Sequence, residues 1–127
     1  MVEDGFHLQA IFLLPFILIL KKKITIKTIS KKVYETIKKS LEKFVNEKIT
    51  IKQPNDLLIK GAKVCGILQE TIIYNKNKYF IVGIGINLIK KPKIENKLVS
   101  VLQKYNNNKI NKTEIYTRIK KNFEKII

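Results

Sequence analysis

The run from Ile51 to Leu88, IKQPNDLLIKGAKVCGILQETIIYNKNKYFIVGIGINL, constrains the fold more than any other part of the chain. Apolar stretches of strand length are broken by Pro54-Asn55-Asp56, by Lys60-Gly61-Ala62-Lys63 and by Asn75-Lys76-Asn77-Lys78, leaving no room for helices between them. Pro54 cannot donate a ladder hydrogen bond and pushes its predecessor into an extended conformation, so a strand over Ile49–Lys52 ends there. Leu57–Ile59 then reads as a short strand, and Gly61 supplies the positive φ of a tight hairpin. Val64–Tyr74 follows, and Tyr79–Leu88 returns antiparallel to it. Gly83 and Gly85 share one face of that last strand, where a missing side chain lets a ligand or another backbone come close.

Such a meander needs cover on its apolar face. Val33, Ile37, Leu41 and Phe44 recur at spacings of four, four and three, which predicts an amphipathic helix over Ser30–Asn46 with Lys31, Lys38, Lys39 and Lys43 turned outward. The apolar run Ala10–Leu20 is shorter than the roughly 20 residues a membrane helix requires. Glu3 and Asp4 precede it and Lys21-Lys22-Lys23 follow it, the reverse of a secretory signal. It predicts a buried strand over Phe16–Ile26 with Pro15 at its start, no membrane span, and a cytoplasmic protein. After Pro92, Leu98, Val99 and Leu102 predict a short helix. Asn111 and Glu114 open a last helix like a capping box, burying Ile115, Ile119, Phe123 and Ile126. At 127 residues this is one domain, of the α+β class, with a mixed, mainly antiparallel sheet flanked by helices.

The formal charge of +16 comes from 26 Lys and Arg against 10 Asp and Glu, and Arg118 is the only arginine. Lysine lacks the planar fork that reads guanine and phosphate in pairs, so the charge predicts a solvated lysine surface and no specific nucleic-acid partner. Acidic protein partners are compatible with that charge. Cys65 and His7 are each alone in their type. That removes an internal disulfide and leaves the usual zinc sets and a Ser-His-Asp or Cys-His arrangement almost no material to work with. Chemistry on this chain runs on lysine, carboxylate, amide and backbone groups.

Lys52-Gln53-Pro54-Asn55-Asp56, then Gly61-Ala62-Lys63-Val64-Cys65-Gly66-Ile67-Leu68-Gln69-Glu70, then Gly83-Ile84-Gly85-Ile86-Asn87, resemble in order and spacing the catalytic core of the biotin–protein ligases. The resemblance runs from about Phe16 to Asn87 and more loosely through the C-terminal helices. It implies the biotin/lipoate ligase fold, which is like that of the class II synthetases, over residues 15–127, with residues 1–14 unassigned. It also implies ATP-dependent activation of biotin to biotinyl-5′-AMP, and transfer to a lysine of a biotin carboxyl carrier domain.

Cofactors implied are ATP, biotin and magnesium. By resemblance Lys63 and Lys52 are catalytic cations, since a fixed ammonium stabilises the oxygens joined when a carboxylate attacks a phosphate. Lys63, Gly66 and Leu68 fall with biotin, the latter two as backbone partners of its ureido ring. Lys52, Asn55, Asp56 and Asn87 fall with the nucleotide, Asn55 fixing the turn, Asn87 near adenine and Asp56 organising magnesium.

Some of the family pattern is missing. No arginine precedes Arg118, so the Arg/Gly-rich loop has no counterpart; Gln53 stands where the family has tryptophan; and no C-terminal β-barrel domain follows. The expectation is therefore an incomplete catalytic domain, with ligase activity either retained or impaired by truncation. The alternatives are a non-catalytic remnant binding biotin, carrier or polyanions, and a lipoate-ligase relative. The sequence leaves the oligomeric state open.

Overall fold

The structure is a computed structural model that describes residues 12–20, 24–91 and 93–126. Of the unassigned segment 1–14, residues 1–11 lie outside the described residues, His7 among them.

Five strands form one antiparallel sheet: β1 (Phe12–Ile19), β2 (Thr50–Lys52), β3 (Asp56–Ile59), β4 (Ala62–Tyr74) and β5 (Asn77–Ile86), in the spatial order β1-β5-β4-β3-β2. The two hairpins flanking β4 are two-residue turns with both central residues at positive φ. They are Lys60 (51°) with Gly61 (81°), and Asn75 (49°) with Lys76 (66°). Such turns match the right-handed twist of the strands they join. The second turn is shorter than the sequence suggested, because Asn77 and Lys78 already belong to β5.

β1 departs most from the sequence reading. It begins before Pro15 and stops at Ile19, and the Thr25 hydroxyl, accepting from the Thr28 N–H at 3.1 Å, opens helix α1 (Ile26–Glu42) where the strand was expected to continue. Pro15 is tolerated inside the strand because of the register. The Ile67 N–H turns toward β3 to reach Asn55 O at 2.7 Å, so alternation directs Leu68 toward its β5 partner Gly83. Gly83 thus faces β4, and Pro15 opposite it on β1 directs its nitrogen to the open edge, where a missing donor breaks no ladder bond.

The inner sheet face carries Leu18, Leu57, Ile59, Val64, Cys65, Ile67, Phe80, Val82, Ile84 and Ile86, all buried. Against it pack α1, through Ile29, Val33, Tyr34, Ile37 and Leu41, and α2 (Lys112–Glu124), through Ile115, Ile119 and Phe123. α1 ends at Glu42 rather than Asn46, as the Phe44 N–H closes a tighter turn on Leu41 O. Asn111 caps α2 as expected, its Oδ1 accepting from Thr113 N and Glu114 N. The rings of Phe16 and Phe123 meet edge to face at 4.8 Å, fixing α2 over β1. Asn122 of α2 donates to the fully buried Ser40 hydroxyl of α1 at 2.9 Å.

No helix forms over Leu98–Leu102; a single 3-10 turn comes later, at Leu102–Tyr105. Lys63 N donates to Leu98 O at 3.0 Å and Ser100 N donates to Lys63 O at 2.8 Å, so extended pairing takes the backbone groups that a helix there would use. Among the described residues no helix is long and apolar enough to cross a membrane.

Candidate functional site

Strict alternation along β4 would put Lys63 and Gly66 on opposite faces of the sheet. They share one face because the pairing of β3 with β4 slips: Leu58 is opposite Lys63 and Leu57 is opposite Cys65, leaving Val64 as an extra residue. Val64 and Cys65 both point into the core, and the phase resets. The bulge brings the Lys63 side chain onto the outer face, over Gly66, where a Cβ would lie 3.2 Å from both its Cε and its Nζ. The glycine makes room for the lysine arm.

On that face Asp56, the cross-strand partner of Gly66, receives two ammonium groups. Lys63 Nζ lies 3.1 Å from Oδ1, and Lys97 Nζ donates to Oδ2 at 2.6 Å. Burial raises the pKa of Asp56, but the hydrogen bonds from Lys97 and Lys63 outweigh it and hold the carboxyl below its usual 3.8. One carboxylate against two ammoniums leaves one positive charge unmatched at this point of the sheet.

Beside the Lys63 ammonium opens a cleft of about 570 Å³, mostly apolar, lined by Pro15, Asn55, Lys63, Gly66, Leu68 and the Gly83–Gly85 stretch. That volume is in the range of small-molecule sites. Its floor is flat because Gly66 pairs with Gly85, and Gly83 lies between Leu68 and Pro15, so this face of the sheet is bare at three neighbouring positions. Leu68, 61% exposed, forms a wall.

The Gly66 and Leu68 N–H groups are directed at β5 by the alternation that turns Ile67 toward Asn55. Those two N–H groups are turned into the sheet, and it is the bare Gly66 and the Leu68 side chain that border the cleft. Asn55 closes one end of the cleft. Its amide is satisfied when the nitrogen donates to Pro54 O at 2.9 Å and Ile67 O at 3.3 Å, and the Tyr34 hydroxyl approaches it at 3.4 Å.

Asn87, which the resemblance puts near adenine, is hydrogen-bonded to the backbone of Lys63. It is buried, and its Nδ2 donates to Lys63 O at 3.3 Å and Ser100 O at 3.2 Å, clamping the Leu98–Ser100 segment against β4. Both amide hydrogens are committed to the protein, and Asn87 does not line the cleft. Lys52 is opposite Asp56 in the β2–β3 hairpin, on the same face, but stands in solvent outside the cleft lining.

Magnesium does not fit here as a resident ion. Asp56 presents each oxygen to an ammonium, and no cluster of three His, Cys, Asp or Glu occurs among the described residues. Cys65 is fully buried, and burial pushes its thiol far up, which leaves it inert. Lys97 belongs to no motif in the sequence; only the pairing of its segment with Lys63 reveals it.

The biotin/lipoate A/B protein ligase family matches residues 10–87. Among solved structures, the biotin protein ligase of Aquifex aeolicus in complex with biotin and ATP is 24% identical at a TM-score of 0.62, over 90% of this chain and 51% of that one. The biotin protein ligase of Leishmania major in complex with biotinyl-5-AMP reaches a TM-score of 0.74 at 13% identity, over 92% and 54%. LipL1 of P. falciparum in complex with lipoate reaches 0.66 at 17% identity, over 91% and 34%. The chain thus spans about half the length of these biotin ligases or less of the lipoate-bound relative. No curated protein matches it.

Proposed function

Since the chain belongs to the biotin/lipoate A/B protein ligase family, we propose that it is a biotin–protein ligase catalytic unit. It joins the carboxylate of biotin to the α-phosphate of ATP, then passes the acyl group to a lysine of a biotin carboxyl carrier domain. The observation that supports this reading best is the Lys63 ammonium placed beside a glycine-floored apolar cleft, with an excess of positive charge held around Asp56.

Two anions must approach each other in the first step. A carboxylate oxygen attacks the α-phosphorus, the bond to the bridging oxygen breaks, and pyrophosphate leaves with that electron pair. Lys63 counters the negative charge on the oxygens being joined, from an arm that the Val64 bulge already brings to the cleft side of the sheet. In the second step the carrier amine attacks the acyl carbon and AMP leaves.

Lys52, on the same face, is suited to the outer phosphates, and Asn55 to holding the turn at the nucleotide end. Gly66 and Leu68 shape the floor and wall on which the biotin ring and chain rest. Magnesium, where needed, arrives with the nucleotide as part of the substrate.

Lipoate is the second reading, favoured by the structural likeness to a lipoate-bound relative and by a cleft that is mostly apolar. Pyrophosphate exchange into ATP by the purified chain, with biotin or lipoate as acyl donor, tests both. Exchange driven by biotin is expected. Exchange with lipoate alone moves the assignment to the lipoate branch, and exchange with neither removes the catalytic reading.

A further inference from the structure

Lys97 stands far along the chain from the residues that line the cleft, yet its ammonium holds the Asp56 oxygen not used by Lys63. We propose that Lys97 is a positioning residue that frees Lys63 for an anionic ligand, by serving as the standing counter-ion of Asp56. The inference rests on the ligase reading only for the choice of ligand; the charge geometry is independent of it.

Lys97 does not line the cleft, and neither does Asp56. Lys63 does, so of the three charges only Lys63 can meet a bound carboxylate or phosphate. With Lys97 in place, Asp56 keeps a partner at 2.6 Å when Lys63 swings to a ligand. Without Lys97, Lys63 is the only ammonium left on a carboxylate that is mostly buried, and moving it away would strand that charge. The ligand would have to compete with Asp56 for one ammonium. A net positive cluster becomes a neutral pair.

Backbone pairing makes the arrangement firm. The segment that presents Lys97 is bonded on both sides of Lys63, through Leu98 O and Ser100 N, and Asn87 ties it down from behind. β-pairing therefore fixes the backbone from which Lys97 reaches Asp56 relative to that of Lys63, and leaves the two side chains to reach the carboxylate.

Lys97→Met keeps the length of the arm and removes the charge; Lys97→Arg restores it. Binding of biotin and of its uncharged alcohol analogue is measured by calorimetry for each protein. Loss of one charge-assisted partner predicts about a tenfold weaker affinity of Lys97→Met for biotin. The alcohol should bind both proteins alike, and Lys97→Arg should recover biotin binding. Equal loss for biotin and alcohol would show a merely structural role, and no loss for either would overturn the proposal while leaving the ligase reading standing.

If the native chain binds neither ligand, the ligase reading fails and the proposal is decided by a second measurement. Lys63 and Lys78 are acetylated with an activated ester and compared by peptide mass. Lys63 should react severalfold more slowly in Lys97→Met than in the native protein, with Lys78 unchanged. Unaltered Lys63 reactivity would overturn the proposal.

Discussion

The Lys63 side chain crosses the place where Gly66 has no Cβ, at 3.2 Å from the position such an atom would take. Gly66→Ala should therefore fold, because the atoms it meets are the far end of a flexible arm, but the arm must move. A displaced ammonium predicts a loss of acyl-adenylate formation of about tenfold or more, with stability changed by less than about 1 kcal/mol. Pyrophosphate exchange and thermal melting on the same preparation separate the two effects; unchanged exchange would mean that Lys63 acts from another position.

Lys63→Ala should reduce acyl-adenylate formation far more than Lys78→Ala. Only Lys63 lines the cleft, whereas Lys78 is exposed on β5. Removing a preorganised charge from the reacting oxygens should cost about 3 kcal/mol of transition-state stabilisation. Single-turnover formation of the adenylate is the measurement, and equal effects of the two substitutions would contradict the assignment.

Much of this site was legible in the chain. Pro54, Gly61 and the glycines at 66, 83 and 85 mark turns and bare sheet whatever surrounds them, because backbone geometry demands those residue types. Lys97 was not legible: lysine recurs throughout the chain, and nothing local distinguishes the one that reaches Asp56. The bulge at Val64 was also hidden, since Val64-Cys65 reads as ordinary strand, and only the slip in pairing with β3 reveals it. At Pro15 a sound rule about ladder donors met an edge strand in a register where the donor is not needed.

Acid should weaken the fold through Asp56. Its folded-state pKa lies below the ordinary value of 3.8, so the native state binds fewer protons than the unfolded chain between those two values. The stabilisation is complete above about pH 3.8 and is lost as pH falls through the folded value. Asp56→Asn should be less stable than the native protein at neutral pH and should lose less on acidification. Parallel melting curves for the two proteins across that window would argue against the cluster.

Asn87→Ala removes two hydrogen bonds, to Lys63 O and Ser100 O, from a buried position. It should destabilise the ligand-free protein by about 2 kcal/mol, seen in denaturant unfolding. An adenine-reading role would instead weaken ATP binding and leave stability alone.

Cys65 should resist alkylation in the native state, being fully buried with its thiol held protonated. Iodoacetamide should modify it only under unfolding conditions. Rapid native labelling would mean that β4 opens locally at its bulge.

The site is also a matter of parity. Across β4 the pairing counts Lys63, Cys65 and Gly66 as three consecutive rungs, and Val64 is the one residue between them without a rung of its own. Deleting Val64 would restore an unbroken ladder of Leu58 with Lys63, Leu57 with Cys65 and Asp56 with Gly66, and would leave Lys63 two positions from the glycine and on the same face. The ladder therefore already carries the lysine and the glycine on one side, and the unpaired residue serves to sink one more apolar side chain into the core beneath them.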